Sequence, residues 1–594
     1  MKWTVRHMRI LFDSKLSQFK TPFGTLKRQE VCTLHIMIPC SCRTTAVCLV
    51  LQAENGAELR RVPFAKQSDD TLYDTWGGEL TISDAGLYFY YFHITTQDGA
   101  FRLFKQGESD TNMEDGGLWQ LSVLEDKFPV PDDCAGAVMY QIFPDRFFQA
   151  GVCDLTGKIT PYWVHENKDD MPVYLPNANG EVLNNDFYGG NLNGIREKLP
   201  YLHELGVELL YLNPIFYAWS THRYDTCDYK RIDPMLGTEA DFRALCGAAH
   251  ALGMKIILDG VFNHVSSDHP FFRDVLEKGR ASRYYSCFYA LPETPRLPAA
   301  GELPGYTCFS YVADMPKTNT ADPFLRQYFC DVGAYWVRKF DVDGWRLDVA
   351  NELDDGFLRA FRASVKAAKS DALIVGEVWE NAAHYLGGDM LDSAMNYDFR
   401  RYCRRFFAEQ TVDAETFDTN VSTLLLRYNE NALFAQLNLL DSHDVSRFLS
   451  LCGGKTERME LAVLLQMTFP GMPCVFYGDE KGLCGESEPE YRRPMAWDAS
   501  SPLEEVYRRM IALRKTHPAL RYGSFHTELA CGGVYRYSRV WNGTKITVAM
   551  NLGAEPVKAE KRGTLLLKKG ENRDIIGAWE YEVWEEQNDG GNDL

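Results

Sequence analysis

Along residues 1–125, apolar and polar positions alternate in short runs, "VCTLHIMIPC", "AVCLVLQAE", "GELTIS" and "GLYFYYFHITT", β-branched or aromatic in character and separated by turn signals. That period of two predicts a β-sandwich. From residue 126 onward, apolar strand-like runs alternate instead with stretches of helical period, the mark of βα units around a parallel sheet. The candidate strands are "AVMYQIF", "ELLYLNPIF", "KIILDGVFN", "VDGWRLDVA", "ALIVGEVW", "SAMNYDF", "FAQLNLLD" and "PCVFYGDE", eight in all. Between them, "TEADFRALCGAAHALG" repeats Phe242, Leu245, Cys246, Ala249 and Leu252 at helical spacing, and Gly253 supplies a stop. "PFLRQYFCDVGAYWVRKF" reads as the helix before the fourth strand. The connection from His264 to Val342 is far longer than an ordinary βα loop and rich in aromatics and proline. After the helix "PLEEVYRRMIALRKTHPALRYG", short strands return in "GVYRYSRVW", "KITVAMNL" and "GTLLLKK". The fold class is therefore α/β: a (β/α)8 TIM barrel over 126–521 with a subdomain, 265–321, protruding after strand 3, flanked by N-terminal (1–125) and C-terminal (522–594) β-sandwich domains.

Composition narrows the partners. With 594 residues, 45% hydrophobic and 24% charged, the chain can build several cores. Its net charge of -19 and pI near 5.2 argue against nucleic acid, which needs clustered Lys and Arg. Apolar stretches such as "LAVLLQMTF" fall short of the roughly 20 residues that span a bilayer, so no membrane is expected. The start, "MKWTVRHMRILFDSK", has positive charge but no apolar core of a cleavable signal. Sixteen Cys are scattered without CxxC or zinc-type spacing, which fits reduced thiols and a cytoplasmic enzyme.

Barrel enzymes carry their chemistry at the C-terminal ends of the strands, and those ends hold polar groups here. Strand three ends with Asp259, Asn263 and His264, strand four with Arg346 and Asp348, strand five with Glu377, and strand seven with His443 and Asp444. Any one Asp after a strand is most often a helix cap. The set is different, because Asp348 and Glu377 fall in apolar strand sequence, where an unpaired carboxylate costs several kcal/mol, roughly. Metal binding by His264, His443 and the acids is the weaker reading, since neither HxH nor HExxH occurs. Glycoside chemistry needs one ionised carboxylate and one proton donor, about 5–5.5 Å apart when configuration is retained. Asp348, beside Arg346, is expected to stay ionised, whereas Glu377, between apolar Val375 and Trp379, is expected to hold its proton longer and act as the donor.

In order along the chain, "DGVFNH", "GWRLDVANE", "GEVWE" and "LLDSHD" resemble the signatures of the α-amylase family, glycoside hydrolase family 13. The resemblance implies Asp348 as nucleophile, Glu377 as general acid/base and Asp444 as the third acid. It further implies sugar contacts from Asn263, His264, Arg346, Asn351, Glu352, Trp379 and His443, with Tyr224 of "HRYDT" stacking under the central sugar. "VANE" and "MPKTN" are similar to the neopullulanase, cyclomaltodextrinase and maltogenic amylase subfamily, although Thr318 replaces its usual Leu and Glu380 its usual His. "EPEYRRPMAWD" resembles that group's DPDCRRP, with Glu488 in place of an Asp that clamps sugar together with Arg492. That subfamily carries a leading sandwich resembling carbohydrate-binding module family 34, which implies a homodimer through the N-terminal domain. Tyr73, Trp76, Tyr88, Tyr90 and Phe92 there are candidates either for sugar stacking or for core. The calcium loop often found after the first strand is poorly matched by "DRFFQAGVCDLTG", which offers only Asp154, so no metal or cofactor is required. The function so implied is a retaining α-glucan hydrolase cleaving α-1,4 bonds of cyclodextrins, pullulan, starch or maltooligosaccharides, with some transglycosylation. The alternatives are an α-1,6 debranching enzyme or amylopullulanase, and a noncatalytic carbohydrate-binding protein on the same scaffold.

Overall fold

The computed structural model describes residues 9–587, apart from 70, 108–109, 125–129, 177–181, 300–301, 429 and 561. The expected domain boundary at 125/126, the first residues of the expected signal-free start and the polar tail 588–594 lie outside the described residues. The chain packs as two compact units: Met1–Pro129 together with Asn381–Gly388 and Glu415–Leu433, and all the rest.

The first unit is an antiparallel β-sandwich. Its long strand Glu58–Asp69 pairs with Tyr73–Leu80 on one side and Thr44–Ala53 on the other, so a single strand passes between the layers. Alternate residues turn inward, Leu34, Ile36 and Ile38 from one strand and Tyr90, Phe92 and Ile94 from another, and fill one core. Trp76 joins them, and Tyr90 stacks on Trp119 at 5.8 Å. Trp76, Tyr90 and Phe92 are therefore packing residues rather than sugar platforms, and only Tyr73 and Tyr88 of that cluster are part-exposed.

The second unit contains the barrel. Its strands are β1 (Met139–Ile142), β2 (Leu209–Leu212), β3 (Lys255–Gly260), β4 (Gly344–Leu347), β5 (Leu373–Gly376), β6 (Ser393–Ala394), β7 (Leu437–Leu439) and β8 (Met472–Phe476). Each pairs in parallel with its neighbour from β1 to β6, and β7 pairs with β8 and β8 with β1. A single parallel bridge, Met395 to Leu437, joins β6 to β7. All eight expected strands are present, but shorter than their apolar runs. Asp348 and Glu377 consequently sit one residue past β4 and β5 rather than inside them.

Two-residue alternation explains what the barrel encloses. Met139, Leu209, Ile257, Leu373, Leu437 and Met472 face inward and form the lower core with their neighbours. Two residues further on, the same face presents Gln141, Tyr211 and Asp259, and β4 adds Arg346 in register with Asp259. Gly344 lets β4 lie this close to β5, because a Cβ there would collide with the Leu373 carbonyl.

Three antiparallel bridges, His264–Lys317, Phe288–Thr318 and Cys308–Pro316, fold the long connection after β3 back on itself. The segment between β1 and the helix Leu192–Leu205 is also long, with its own small ladder of Trp163–Val164 against Asp186–Phe187, a feature the hydrophobic pattern does not announce. The expected final barrel helix breaks at His517 into Pro502–Thr516 and Pro518–Tyr522, since Pro518 disfavours helical backbone in the residue before it. Beyond it, Ser524–Cys531, Val534–Trp541, Thr544–Asn551, Glu580–Gln587 and Thr564–Lys569 form a five-stranded antiparallel sheet, with the ladder Val557–Lys558/Ile575–Ile576 packed on Ala549.

Candidate active site

Arg346 is the centre of the barrel mouth. Its buried guanidinium donates through Nη1 to Asp259 Oδ1 and Asp348 Oδ1, both at 2.8 Å. Its Nη2 lies 2.9 Å from Glu377 Oε2 as an ion pair, off the hydrogen-bonding line. The short strands and their register produce this directly: β3, β4 and β5 are neighbours, Asp259 lies level with Arg346, and Asp348 and Glu377 follow the paired residues Leu347 and Gly376 one step higher.

Asp259 is fixed by Tyr211 Oη at 2.7 Å and Tyr224 Oη at 2.9 Å, both donating to its Oδ2. Tyr224 in turn lies parallel to the His443 ring, with centroids 5.3 Å apart, and its hydroxyl contacts His443 Nε2. Gln141 Nε2 holds the other side of that ring, 2.8 Å from Nδ1, and reaches Asn213 Oδ1 at 2.9 Å. Past β7, Asp444 Oδ2 is 3.0 Å from His443 Nε2, and its Oδ1 is 3.3 Å from Arg492 Nη2. Arg492 also donates to the His443 carbonyl at 2.6 Å and pairs with Glu488 Oε1 at 2.8 Å. The longer Glu488 therefore still closes onto Arg492.

Glu377 accepts from the Val349 amide at 3.0 Å and from Trp379 Nε1 at 3.2 Å, so its surroundings are not the apolar pocket expected from Val375 and Trp379. Trp379 is half-exposed and stacks on Tyr397 at 3.9 Å. The expectation that Arg346 singles out Asp348 fails as well, because the same cation touches both acids. Burial raises the Asp348 carboxyl well above the usual aspartate range, Glu377, Asp259 and Asp444 add to the rise, and Arg346 only opposes it. Asp444 goes the other way: burial pushes it up, but His443, Arg492 and Arg346 together hold it well below the usual range.

His264 is 1% exposed and stacks on Phe309 at 4.6 Å, yet neither ring nitrogen has a partner. Burial pushes its imidazole down to about 3, so it stays neutral. The amide nitrogen of Asn263 is likewise unpartnered, while its oxygen accepts from Lys317 Nζ at 2.6 Å. Such buried, unsatisfied donors and acceptors at a mouth are groups waiting for a polar ligand. Asn351 and Glu352 stand exposed on the short turn after Asp348, and Glu352 pairs with Lys317.

The barrel mouth thus brings together the expected catalytic and sugar-contact residues except Asn351 and Glu352, which lie on its rim. Gln141, Tyr211, Asn213, His222, Lys317 and Tyr397 were missed. For two of them the signal was parity: Gln141 and Tyr211 share the inward face with Met139 and Leu209. The segment expected to fit calcium poorly uses Asp154 to cap the Thr156 amide at 2.9 Å, and Asn191 ties its side chain to both backbone groups of Ala150. Among the described residues no group of three or more His, Cys, Asp or Glu side chains is placed to hold a metal ion.

Residues 141–504 match the family described as alpha amylase, catalytic domain. Over 528 residues, 86% of each chain, the sequence is 35% identical to a cyclomaltodextrinase of Thermoanaerobacter pseudethanolicus. Over 522 residues, 85% of each chain, it is 39% identical to neopullulanase 2 of Thermoactinomyces vulgaris. A solved cyclomaltodextrinase superposes with a TM-score of 0.69 at 30% identity, covering 98% of both chains.

Proposed function

This chain belongs to the α-amylase family and is a glycoside hydrolase, and from that premise we propose that it cleaves α-1,4-glucosidic bonds with retention, Asp348 acting as nucleophile, Glu377 as general acid/base and Asp444 as the third acid. One observation carries the assignment: adjacent nitrogens of the Arg346 guanidinium touch both Asp348 and Glu377. That arrangement supports the separation of about 5–5.5 Å used by retaining enzymes. The sugar at the bond to be cleaved rests against Tyr224, whose ring His443 backs and whose hydroxyl Asp259 fixes. Asp348 attacks the anomeric carbon while Glu377 protonates the leaving oxygen; water, deprotonated by Glu377, then releases the glycosyl group from Asp348. Asp444, held anionic, and the free His264 nitrogens take sugar hydroxyls as the ring flattens.

The substrates proposed are cyclodextrins, pullulan, starch and maltooligosaccharides, with some transfer to sugar acceptors, a range the relatives' names support. Residues 126–521 form the catalytic barrel with its protrusion over 265–321, and 1–125 and 522–594 the flanking domains. A cytoplasmic location is supported by cysteines scattered along the chain with no CxxC pair or zinc-type spacing. A homodimer through the N-terminal sandwich is tested by sedimentation equilibrium.

Asp348→Asn tests the chemistry. It should fold with the parent's melting temperature and lose at least about a thousandfold in kcat on a chromogenic maltoside. Turnover within tenfold of the parent overturns the assignment. On pullulan, panose as the product supports α-1,4 cleavage, and maltotriose replaces it with α-1,6.

A further inference from the structure

We infer that Tyr311 is a stacking platform for a glucose unit of the bound glucan beyond the central sugar, and so sets the preference for longer chains; this rests on the reading above. The residue sits at the tip of a tight loop in the long connection after β3. Phe309 N–H donates to Met315 O at 2.9 Å, Val312 N–H to Phe309 O at 2.8 Å and Met315 N–H to Val312 O at 3.0 Å. Both flanks are pinned: Tyr306 Oη donates to Ala313 O at 2.7 Å, and Ser267 donates to Asp314 through its amide at 2.9 Å and its hydroxyl at 3.1 Å.

Phe309, two residues before Tyr311, already belongs to the mouth, since its ring covers His264. Lys317, shortly after, reaches Asn263 and Glu352. The loop tip therefore borders the cleft at both ends. At that tip, two consecutive side-chain-bearing residues hold left-handed backbone, Ser310 at φ 49° and ψ 31° and Tyr311 at φ 63°. A tyrosine is poorly suited to such a conformation, which glycine would adopt freely. The residue nevertheless stands 83% exposed, and no ring packs on it among the described residues. A strained, anchored and outward-facing aromatic contributes nothing to the core. What it offers is a flat apolar face at a sugar-binding rim, and the C–H face of a glucose unit is the matching surface.

The experiment compares Tyr311→Ala, Tyr311→Phe and Tyr311→Gly with the parent on maltoheptaose and on p-nitrophenyl α-maltoside. The platform predicts that Y311A raises KM for maltoheptaose roughly five- to tenfold, the loss expected of one stacking contact, with kcat within about twofold. On the short maltoside Y311A should match the parent, and Y311F should match it on both substrates. Y311G should show the same KM rise as Y311A while melting at a higher temperature, because glycine removes the backbone strain. An unchanged KM for maltoheptaose in Y311A, or an equal rise on both substrates, overturns the inference. Should the parent hydrolyse neither substrate, the functional reading fails, and calorimetric titration of maltoheptaose into parent and Y311A decides the platform: weaker binding by Y311A supports it, and equal or absent binding overturns it.

Discussion

Arg346 touches three carboxylates from three strands, and its planar fork is what makes this possible. A lysine carries the same charge on one nitrogen and cannot hold Asp259, Asp348 and Glu377 at once. Arg346→Lys should therefore lower kcat/KM on maltooligosaccharides by about a hundredfold or more, read from initial rates, with the two acids no longer held at a fixed separation. A second consequence concerns acid pH. Burial raises Asp348 above the ordinary aspartate range, and the nucleophile works only when ionised. As pH falls through that raised value Asp348 gains its proton, so the acidic limb of kcat/KM should lie above pH ~4, the ordinary aspartate value. A limb at or below pH 4 in the measured profile contradicts this. Asp348 and Glu377 were legible in sequence because a carboxylate in an apolar run stands out. Gln141 and Tyr211 were not, since an amide or a phenol within four strand residues looks like ordinary core until the inward face is known. The division of charge between the two acids was misjudged for a related reason: sequence adjacency showed Arg346 next to Asp348, and only the β4–β5 register showed it next to Glu377.

At the level of elements, the clearest signals were the capped helices. The helix Pro323–Phe340 matches its sequence pattern residue for residue, with Pro323 in the first turn and the Asp322 carboxylate accepting the Phe324 and Leu325 amides at 3.0 Å. Asp322→Ala should cost about 1 kcal/mol in denaturant unfolding, with activity on maltooligosaccharides unchanged. Gly344→Ala should cost more, about 1–3 kcal/mol, because the added methyl group must push β4 away from the Leu373 carbonyl. It should also lower kcat, since Arg346 is carried on the same strand. Strand lengths were the least legible feature, because apolar character continues past the last paired residue wherever the chain stays buried, as it does at Ala350 and Val378. The ladder between Trp163–Val164 and Asp186–Phe187 gave no period at all, two residues being too few to show one.

Across the whole molecule, buried neutral imidazoles tie stability to pH. His264 and His269 are both pushed down to about 3 by burial, and His222 is lowered as well, by burial first and then by Arg492 and His264 beside it. Each folded value lies below the unfolded one of about 6.5, so the unfolded chain takes up the proton first. Stability present above pH 6.5 is therefore lost as pH falls toward 3, at about 1.4 kcal/mol per pH unit for each histidine. Calorimetric melting between pH 7 and 4 should show this slope, and His269→Asn, which keeps a side-chain cap on the Phe271 amide, should flatten it. The order of eight strands was legible because a parallel sheet buries both faces and reads as unbroken apolar runs. How the cylinder closes was not. Between β6 and β7 the backbone contributes one bridge, and side chains supply the rest: Asn396 Nδ2 to Asn438 Oδ1 at 2.9 Å and Ser393 Oγ to the Ala435 carbonyl at 2.5 Å. Glu377 and Asp444 stand on opposite banks of that suture. A wall stitched by hydroxyl and amide groups, rather than by a full ladder of amides, is where deuterium should enter the cylinder first, and each such opening carries the proton donor away from the third acid.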